Sequence, residues 1–470
     1  MEGEIKQMIL KEKDRKNKIT IRKVKKQIKG ITLIALVVTV IVLLILAGVA
    51  INLTVGDNGL FRRAQNAADT YQEANEREAI ELALAGMQIG SMQETGMTKT
   101  ELENSLKEQF GDEVSVECNE DGSFLITIGK NQYYVGEEGE TIDSSNMLKI
   151  STADELKAFR DDVNSGNTYE GKVVLLTNDI NLEGEEWEPI GYYPPENVDA
   201  PDAENNKPFK GIFDGCGYEI DNFTIDTTDK VQGLFGLVNN AKIANLGVGE
   251  NVDISGGGVT GGVIGYIYNE TKVYNCYSKA SVKGNSSVGG VVGNSDKNNI
   301  VSNCYNSGSV VGNSNWVGGI VGQVNDESIV ETSYNSGNIY GKADSVGGVV
   351  GKIYINCTVK DCYNIGEVTG DGNYIGGVVG NIQESSAENC YNIGVINGDN
   401  ATEINSVIGI INKSTVNNCY TLEGQYSNEA TGIKILSSDE LKNSASLLGN
   451  KFKSNTTGIN NNYYPILYWQ

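Results

Sequence analysis

The hydrophobic and polar positions beyond about residue 250 repeat with a period close to 29 residues. Each unit begins with a Gly-Gly pair, two β-branched residues and a third glycine, and continues to an Asn-Cys-Tyr triplet or a close variant. The pairs start at Gly261, Gly289, Gly318, Gly347 and Gly376. A unit this short cannot bury its own apolar face, so the period predicts coils that stack on one another.

Each unit has room for three short strands separated by turns rich in Gly and Asn, which is the size of one coil of a parallel β-helix. We therefore predict a mainly β fold, a solenoid of about eight coils whose strands lie about 4.8 Å apart. A propeller blade would need about 40 residues and four strands. A leucine-rich repeat would need periodic Leu, which the units lack. Both alternatives rank below the β-helix.

The pattern ahead of the repeats predicts a helix and a small sheet. Residues 56–90 place apolar positions at helical spacing, and residues 113–135 alternate around an Asp-Gly turn, which is a hairpin signal. We expect a small α+β module here, followed by a polar linker over residues 137–149. A short helix then begins at a capping box formed by Thr152 and Glu155.

The most apolar stretch of the chain lies near its N-terminus. No residue between Lys29 and Asp57 is charged, and residues 1–30 carry eleven Lys or Arg against four Asp or Glu. A helix needs roughly 20 apolar residues to cross a bilayer, and basic flanks stay on the cytoplasmic side. The pattern predicts a single-pass span from Ile31 to about Ile51, with the protein in the cell membrane and its C-terminal domain at the extracellular surface.

The entry into this stretch, Lys-Gly followed by Ile-Thr-Leu-Ile, resembles the prepilin leader of type IV pilins and of the pseudopilins of related secretion systems. The resemblance implies that prepilin peptidase cuts after Gly30, that the new terminal residue Ile31 is methylated, and that other pilins are partners. Filament-forming members usually carry Glu at the fifth mature position, where this chain has Ala35. The resemblance therefore fits a minor or tip subunit better than a bulk filament subunit. A plain anchor without processing is the alternative.

Charge and composition exclude several classes of function. The chain carries 37 basic and 61 acidic residues, a formal charge of −24. This field repels phosphate backbones, so no nucleic acid is expected as a partner. The chain also has no histidine, which excludes His-based zinc sites, Ser-His-Asp triads and Cys-His dyads.

The repeat unit itself resembles a known family. Gly-Gly-Val-Val-Gly followed by Asn-Cys-Tyr is similar to the GLUG repeat of bacterial surface and secreted proteins, and residues 209–215 and 233–236 resemble the start of such domains. The likeness covers about residues 150–470 and implies the β-helix fold. Some members are large metallopeptidases whose catalytic domain lies outside the repeats. A chain without histidine cannot supply the His-Glu-x-x-His site that such enzymes use.

Cysteines recur at the repeat interval and form no Cys-x-x-Cys pair. Coils in register hold successive Cβ atoms near 4.8 Å apart, beyond the roughly 3.5–4.5 Å that a disulfide requires. We therefore expect these side chains to pack as small apolar groups. The repeated cysteines are Cys276, Cys304, Cys362, Cys390 and Cys419. A bridge between Cys357 and Cys362 is left open.

The tyrosine of each repeat gives the predicted ligand surface. Neighbouring strand residues point to opposite faces, so an inward Cys places the following Tyr outward. Stacked rings with a polar tip suit contact with carbohydrate or protein. The predicted ligand-binding residues are Tyr277, Tyr305, Tyr334, Tyr363, Tyr391 and Tyr420. The alternative is that the rings only stabilise the stacking of the coils.

Acidic residues offer a weaker candidate for chemistry. Glycoside hydrolysis needs two carboxylates at a fixed separation, and Asp179 and Asp214 are early-coil candidates that both lie beside turn residues. Scattered Asp and Asn leave calcium binding open, although the calcium-binding repeat of other solenoids is absent. We predict no catalytic residue, no resident metal and no cofactor, and hence a protein that is not an enzyme.

These patterns divide the chain into five segments with one predicted role. The segments are a basic leader (1–30), a transmembrane or pilin helix (31–56), a reduced pilin-like module (57–140), a GLUG-repeat β-helix (150–430) and a C-terminal cap (431–470). The predicted role is adhesion or ligand contact at a host or glycan surface by the side of the solenoid. A structural minor pseudopilin of an export machine and a carbohydrate-active enzyme are the alternatives.

Overall fold

The computed structural model describes most of the chain in two compact units. The first unit comprises Met1–Leu82 and the second Ala83–Gln470. The described residues are 7–8, 10–18, 37–43, 60–91, 99–118, 123–136, 139, 141–194, 203–342, 344–398, 401–425, 432–458 and 463–470.

The described residues of the first unit are helical. They include residues 10–18 and 37–43 and the first part of the helix Leu60–Ser91. Across the described ranges, no helix combines enough length with enough apolar character to cross a bilayer. This finding contradicts the predicted localisation as a single-pass membrane protein with an extracellular domain, which we do not carry further. The rest of the predicted span and the processing residues Gly30 and Ile31 lie outside the described residues.

The second unit opens with a small α+β module. A helix over Lys99–Phe110 buries Leu102 and Leu106, and an antiparallel sheet follows it. The sheet contains, in order, Val114–Cys118, Phe124–Ile128, Asn131–Val135 and Thr141–Asp143, with 3-10 turns at Gly111–Glu113 and Ser144–Asn146. The hairpin predicted for residues 113–135 is present as the first two strands.

A helix over Ala153–Ser165 packs its apolar face into the core of the solenoid. Its predicted capping box is present: the Glu155 amide donates to Thr152 Oγ1 at 3.3 Å, and the Thr152 amide donates to a Glu155 carboxylate oxygen at 3.2 Å. Phe159 is buried on this helix, and its ring centroid lies 5.8 Å from that of Phe213. The helix thus shields apolar side chains that the first coils would otherwise expose.

A parallel β-solenoid of about nine coils dominates the second unit. Each regular coil contributes five short strands, not the three that the sequence predicted. One coil, for example, contains Val288–Gly289, Val292–Asp296, Ile300–Ser302, Tyr305–Asn306 and Val310–Gly312. The prediction was wrong because strands of two or three residues are too short to show hydrophobic alternation.

Two sheets of seven strands each lie on either side of the Gly-Gly pairs along the chain. The Gly-Gly sheet contains Val231–Gln232, Val259–Gly261, Val288–Gly289, Val317–Gly318, Val346–Gly347, Ile375–Gly376 and Ile404–Asn405. The groove sheet contains Phe235–Asn239, Ile264–Tyr268, Val292–Asp296, Val321–Asn325, Val350–Tyr354, Val379–Gln383 and Ile408–Asn412.

Two longer sheets complete the walls. The long sheet contains Met147–Ile150, Val173–Leu176, Ile212–Asp214, Lys242–Ala244, Lys272–Tyr274, Ile300–Ser302, Ile329–Glu331, Thr358–Lys360, Ser386–Glu388 and Thr415–Asn417. The tyrosine sheet has one row made of Ile180–Glu186, Glu219–Asp226, Asp253–Ser255, Ser281–Gly284, Val310–Gly312, Ile339–Gly341, Val368–Gly370 and Ile396–Asn397. Its second row contains Gly247–Val248, Tyr277–Ser278, Tyr305–Asn306, Tyr334–Asn335, Tyr363–Asn364, Tyr391–Asn392, Cys419–Leu422 and Ile433–Leu436.

Adjacent coils match residue for residue, so identical side chains stack inside the solenoid. Val292, Val321 and Val350 occupy one register position and are fully buried. Each buried Val contributes about 1.5–3 kcal/mol relative to exposure. The pairs need glycine because of this close stacking: a Cβ on Gly348 would lie 2.1 Å from the Gly377 carbonyl oxygen of the next coil.

The C-terminal segment (residues 432–470) leaves the regular coil pattern. Its first strand, Ile433–Leu436, pairs with Cys419–Leu422 in parallel, and a short helix, Ser438–Lys442, follows. Phe452–Lys453 and Ile466–Leu467 then form a two-stranded antiparallel sheet.

Candidate functional site

The six tyrosines predicted as a ligand surface are in register on successive coils. From Tyr277 to Tyr391, successive ring centroids lie 4.8–5.3 Å apart and the ring planes are within 11° of parallel. Five of the six rings follow a cysteine that points into the solenoid core, such as Cys304, and Tyr334 follows the buried Ser333. The alternation of inward Cys and outward Tyr is therefore as predicted.

The C-terminal segment covers much of this tyrosine stack. Four rings form one apolar cluster with Leu441, Leu448, Phe452, Tyr464 and Leu467 of the segment; they are Tyr334, Tyr363, Tyr391 and Tyr420. Burial raises the pKa of the Tyr334 phenol to about 12. The surface proposed for a ligand thus contacts the protein's own chain at these four rings.

Polar contacts hold the segment on the stack. The Tyr363 hydroxyl donates to Gln470 Oε1 at 2.9 Å, and the Tyr391 hydroxyl donates to the Pro465 carbonyl oxygen. Tyr277, at the far end of the stack, donates its hydroxyl to Glu219 at 3.0 Å. Ligand binding by the six rings stays a prediction.

The asparagine after each tyrosine forms a second, buried ladder. Asn306, Asn335 and Asn364 each donate Nδ2 to the amide oxygen of the next asparagine at 2.8 Å, the last of which is Asn392. Each also donates to the carbonyl oxygen two residues ahead at 2.8–2.9 Å. All four side chains are fully buried. These amides therefore join the coils and have no exposed face for a ligand.

The early-coil carboxylates also have structural partners. Asp214 is fully buried, and its Oδ1 accepts the Cys216 amide at 2.8 Å and Asn245 Nδ2 at 2.9 Å. Asp179 Oδ1 accepts the Glu219 amide at 2.9 Å. Among the residues that the structure describes, no group of three or more Cys, Asp and Glu side chains is arranged to hold a metal ion.

A large groove opens beside the groove sheet at the early repeats. Its volume is about 920 Å³, and aromatic rings form much of its wall: Tyr193, Tyr266, Tyr268 and Trp316. Amide side chains share the wall and bond to one another. Gln323 Nε2 donates to Asn325 Oδ1 at 3.1 Å, and Asn325 Nδ2 donates to Asn294 Oδ1 at 3.5 Å. We call this feature the aromatic groove.

The register of the groove sheet places these side chains. Tyr266, Asn294 and Gln323 lie directly above one another on three coils, and Tyr268, Asp296 and Asn325 form the adjacent column. Because strand residues alternate between faces, both columns point away from the Val and Ile core. The same outward positions thus carry different polar and aromatic side chains from coil to coil.

Trp316 enters the groove from the turn before its Gly-Gly strand. Its φ is +64°, a left-handed conformation that is unusual for a bulky residue. Lys352 Nζ lies 5.2 Å from the indole centroid, within the range of a cation–π contact. Burial lowers the pKa of Lys352. Ser345 and Tyr374 occupy the same turn position in the next two coils with φ values of +68° and +64°, so this conformation belongs to the turn of the repeat.

Asp296 contributes the carboxylate of the aromatic groove. Its Oδ2 accepts the Tyr266 hydroxyl at 3.1 Å. Its Oδ1 is enclosed. Burial raises the pKa of Asp296, and the neighbouring Asp326 side chain also raises it. Burial likewise raises the pKa of Tyr266.

Sequence reasoning missed the aromatic groove. Its residues occupy outward positions that vary between repeats, whereas the search for repeats selects positions that stay the same. A usable signal was present: the second and fourth residues after the strand start at Ile264 are both Tyr, and the turn position occupied by Ser287 in one coil is occupied by Trp316 in the next.

Comparisons with known proteins identify no family for this chain. No family model and no curated protein matches it. A solved structure described as a putative immunoglobulin A1 protease from Bacteroides ovatus is similar at 19% identity and a TM-score of 0.37, over 70% of this chain and 94% of the other. A second, an IgA1 protease, is similar at 15% identity and a TM-score of 0.44, over 72% of this chain and 28% of the other.

These two names bear on the expectation that the protein is not an enzyme. Both similar structures are named as proteases, so that expectation is corrected, and we do not maintain it. At these identities and TM-scores, the likeness assigns no activity to this chain.

Proposed function

We propose that the protein is a ligand-binding β-solenoid and that its ligand is a glycan held in the aromatic groove. The role is the adhesion or ligand contact predicted from the sequence, but the proposed contact surface moves from the tyrosine stack to the groove. The observation that carries the proposal is the lining of the aromatic groove, a cavity of about 920 Å³ whose walls combine Tyr266, Tyr268 and Trp316 with amide side chains.

The side chains that line the aromatic groove suit a sugar ligand. The face of an aromatic ring carries partial negative charge, which attracts the polarised C–H groups on one face of a pyranose ring. Trp316 is half-buried and offers such a surface at the groove mouth. Asn294 and Gln323 can donate to and accept from sugar hydroxyls. A pocket with apolar walls and a few fixed polar groups is the usual form of a small-ligand site.

The test is glycan-array screening followed by calorimetry with the glycans that bind. Trp316→Ala should weaken binding at least tenfold, because it removes the stacking surface. Tyr468→Ala is the matched control, since Tyr468 is exposed on the C-terminal segment, outside the groove. Circular dichroism checks that both variants are folded. Equal affinity of Trp316→Ala and wild type would overturn the proposal.

We also propose the prepilin-type processing that the sequence resemblance implies. Cleavage after Gly30 by prepilin peptidase would leave a methylated Ile31 as the first residue. Mass spectrometry of the native protein tests this. An intact Met1 at the terminus would refute it.

A further inference from the structure

Lysines line two adjoining cavities on the wall next to the aromatic groove. The cavities have volumes of about 670 and 390 Å³, and both are lined by Lys210, Asn240 and Glu270. Lys172, Lys242 and Lys272 line the smaller of the two. We call these joined cavities the lysine cleft. Glu270 is the acidic residue in the lining of both cavities.

Two of these lysines are neighbours on the wall of the lysine cleft. Lys242 and Lys272 occupy the same register position on adjacent coils of the long sheet, so their side chains start about 4.8 Å apart. Like charges placed directly opposite on neighbouring strands repel each other. Lys242 is also only 7% exposed. An anion bound between the two ammonium groups would be attracted by both.

Aromatic rings help to position the ammonium groups. Lys242 Nζ lies 5.6 Å from the Tyr274 ring centroid, and Lys172 Nζ lies 5.1 Å from that of Tyr169. Cation–π contacts at these distances favour the charged amine and restrict its movement. The charge is therefore held at the wall of the cleft.

The charge of the whole chain makes this cluster distinctive. At −24, the protein as a whole repels anions. A local concentration of lysines can still bind acidic groups, because the distant acidic residues are screened beyond about 8–10 Å at physiological salt. The ligand must then meet the protein at this cleft and not along an extended basic surface, which disfavours a nucleic acid duplex.

The lysine cleft adjoins the aromatic groove at Lys297. Lys297 lines both the larger cleft cavity and the groove, and its Nζ lies 4.6 Å from the centroid of the Tyr268 ring in the groove. The cleft also contains Asn239, Asn269 and Asn298, whose amides suit hydroxyl groups. A single chain molecule can therefore follow both cavities and the groove.

From this adjacency we infer that the ligand is an acidic polysaccharide, a sugar chain bearing carboxylate or sulfate groups. The inference rests on the proposed function and specifies its ligand. Sugar rings occupy the aromatic groove, and the acidic groups pair with Lys242 and Lys272 in the lysine cleft. An acidic peptide shares the charge but lacks the hydroxyls that would use the amides.

The experiment compares acidic and neutral forms of the same sugar chain by calorimetry. Uronate, sialylated and sulfated oligosaccharides form the acidic arms, and the carboxyl-reduced or desulfated oligomers are the neutral forms. Wild type should bind at least one acidic oligomer tenfold or more tighter than its neutral form, and added salt should reduce the difference. Lys272→Gln and Lys242→Gln should each remove most of this preference. Lys272→Gln keeps the test valid if the buried Lys242 is needed for folding.

Lys413→Gln is the matched control, because Lys413 is 76% exposed on another part of the solenoid and pairs with Glu384. Equal binding of the acidic and neutral forms by wild type would overturn the inference and leave the proposed function intact. Unchanged preference in both cleft variants would also overturn it. An oligoglutamate peptide that binds tighter than every acidic oligosaccharide would replace the inference with a peptide ligand. Failure of Trp316→Ala to weaken any sugar binding would overturn the proposed function itself.

Discussion

Trp469 stacks its indole on the ring of Tyr305, with centroids 6.4 Å apart and planes 25° from parallel. The indole Nε1 also donates to the Thr332 carbonyl oxygen at 2.9 Å. This contact joins the last residues of the chain to coils formed more than 130 residues earlier. The C-terminal segment is therefore fixed at its end as well as at its first strand.

We predict that Trp469→Ala loosens the C-terminal segment from the tyrosine stack. Removal of a fully buried aromatic side chain costs about 3–5 kcal/mol, and because Trp469 is 38% exposed we expect about 2 kcal/mol. Thermal unfolding measures the loss, and limited proteolysis should cut residues 432–470 faster. Tyr468→Ala, which alters an exposed neighbour, is the control. Equal proteolysis of the two variants would show that Trp469 does not hold the segment.

We predict that Asn364→Ala is among the more damaging polar substitutions in the solenoid. Asn364 is fully buried and bonds to Asn335, Asn392 and Gly366. Its removal leaves buried amide groups unpaired, so we expect a loss of about 3 kcal/mol. Denaturant unfolding measures it. The exposed Asn338→Ala provides the comparison, and a similar small effect for both would refute the importance of the amide ladder.

The raised pKa of Asp296 predicts that Asp296→Asn increases the stability of the folded protein by an amount that depends on pH. Burial favours the protonated carboxyl, so the folded-state pKa is above the unfolded value of 3.8. The contribution of the protonated Asp296 carboxyl to the free energy of unfolding is present below pH 3.8 and is lost as the pH rises through the folded-state pKa. Asp296→Asn should therefore stabilise the protein more at pH 7 than at pH 3, as measured by thermal unfolding.

Asp154→Asn is the control for this pH effect, because the Asp154 side chain is 97% exposed. A gain for Asp296→Asn that is the same at both pH values would contradict the assignment of the effect to ionisation of Asp296.

We predict that the stacked cysteines resist alkylation in the native protein. Cys276 and Cys390 are fully buried, and burial raises the pKa of both thiols, so little reactive thiolate forms. The Cys216 thiol is of intermediate exposure and should react before Cys276 and Cys390. Peptide mapping by mass spectrometry before and after unfolding tests this order. Labelling of Cys276 as fast as Cys216 would indicate that the coils open readily.

Sequence reasoning identified the fold through positions that repeat. The Gly-Gly pairs and the Cys-Tyr alternation predicted the stacked coils, because stacking demands the same residue at the same place in each coil. The number of strands per coil was wrong, since a strand such as Val288–Gly289 is too short to show a pattern. The free thiols of Cys357 and Cys362 answer the question of a bridge between them, which the sequence left open.

The candidate site could not be found in the same way. Trp469 reaches Thr332 only after the chain has completed the solenoid, and no local pattern reports such a distant contact. The aromatic groove arises from outward residues that differ between coils, so the repeat pattern conceals it. Lys242 and Lys272 are separated by 30 residues and meet only through the register of the long sheet.

The residue-for-residue match between coils limits how this protein can change in length. A whole repeat can be inserted or deleted while the contacts between adjacent coils form again at every register position. Such a change lengthens or shortens the molecule by about 4.8 Å. Insertion of a single residue would instead displace glycines such as Gly348 from the carbonyl oxygens that they face. The length of the solenoid therefore changes only in whole coils, and related chains should differ by whole coils between the groove and the C-terminal end.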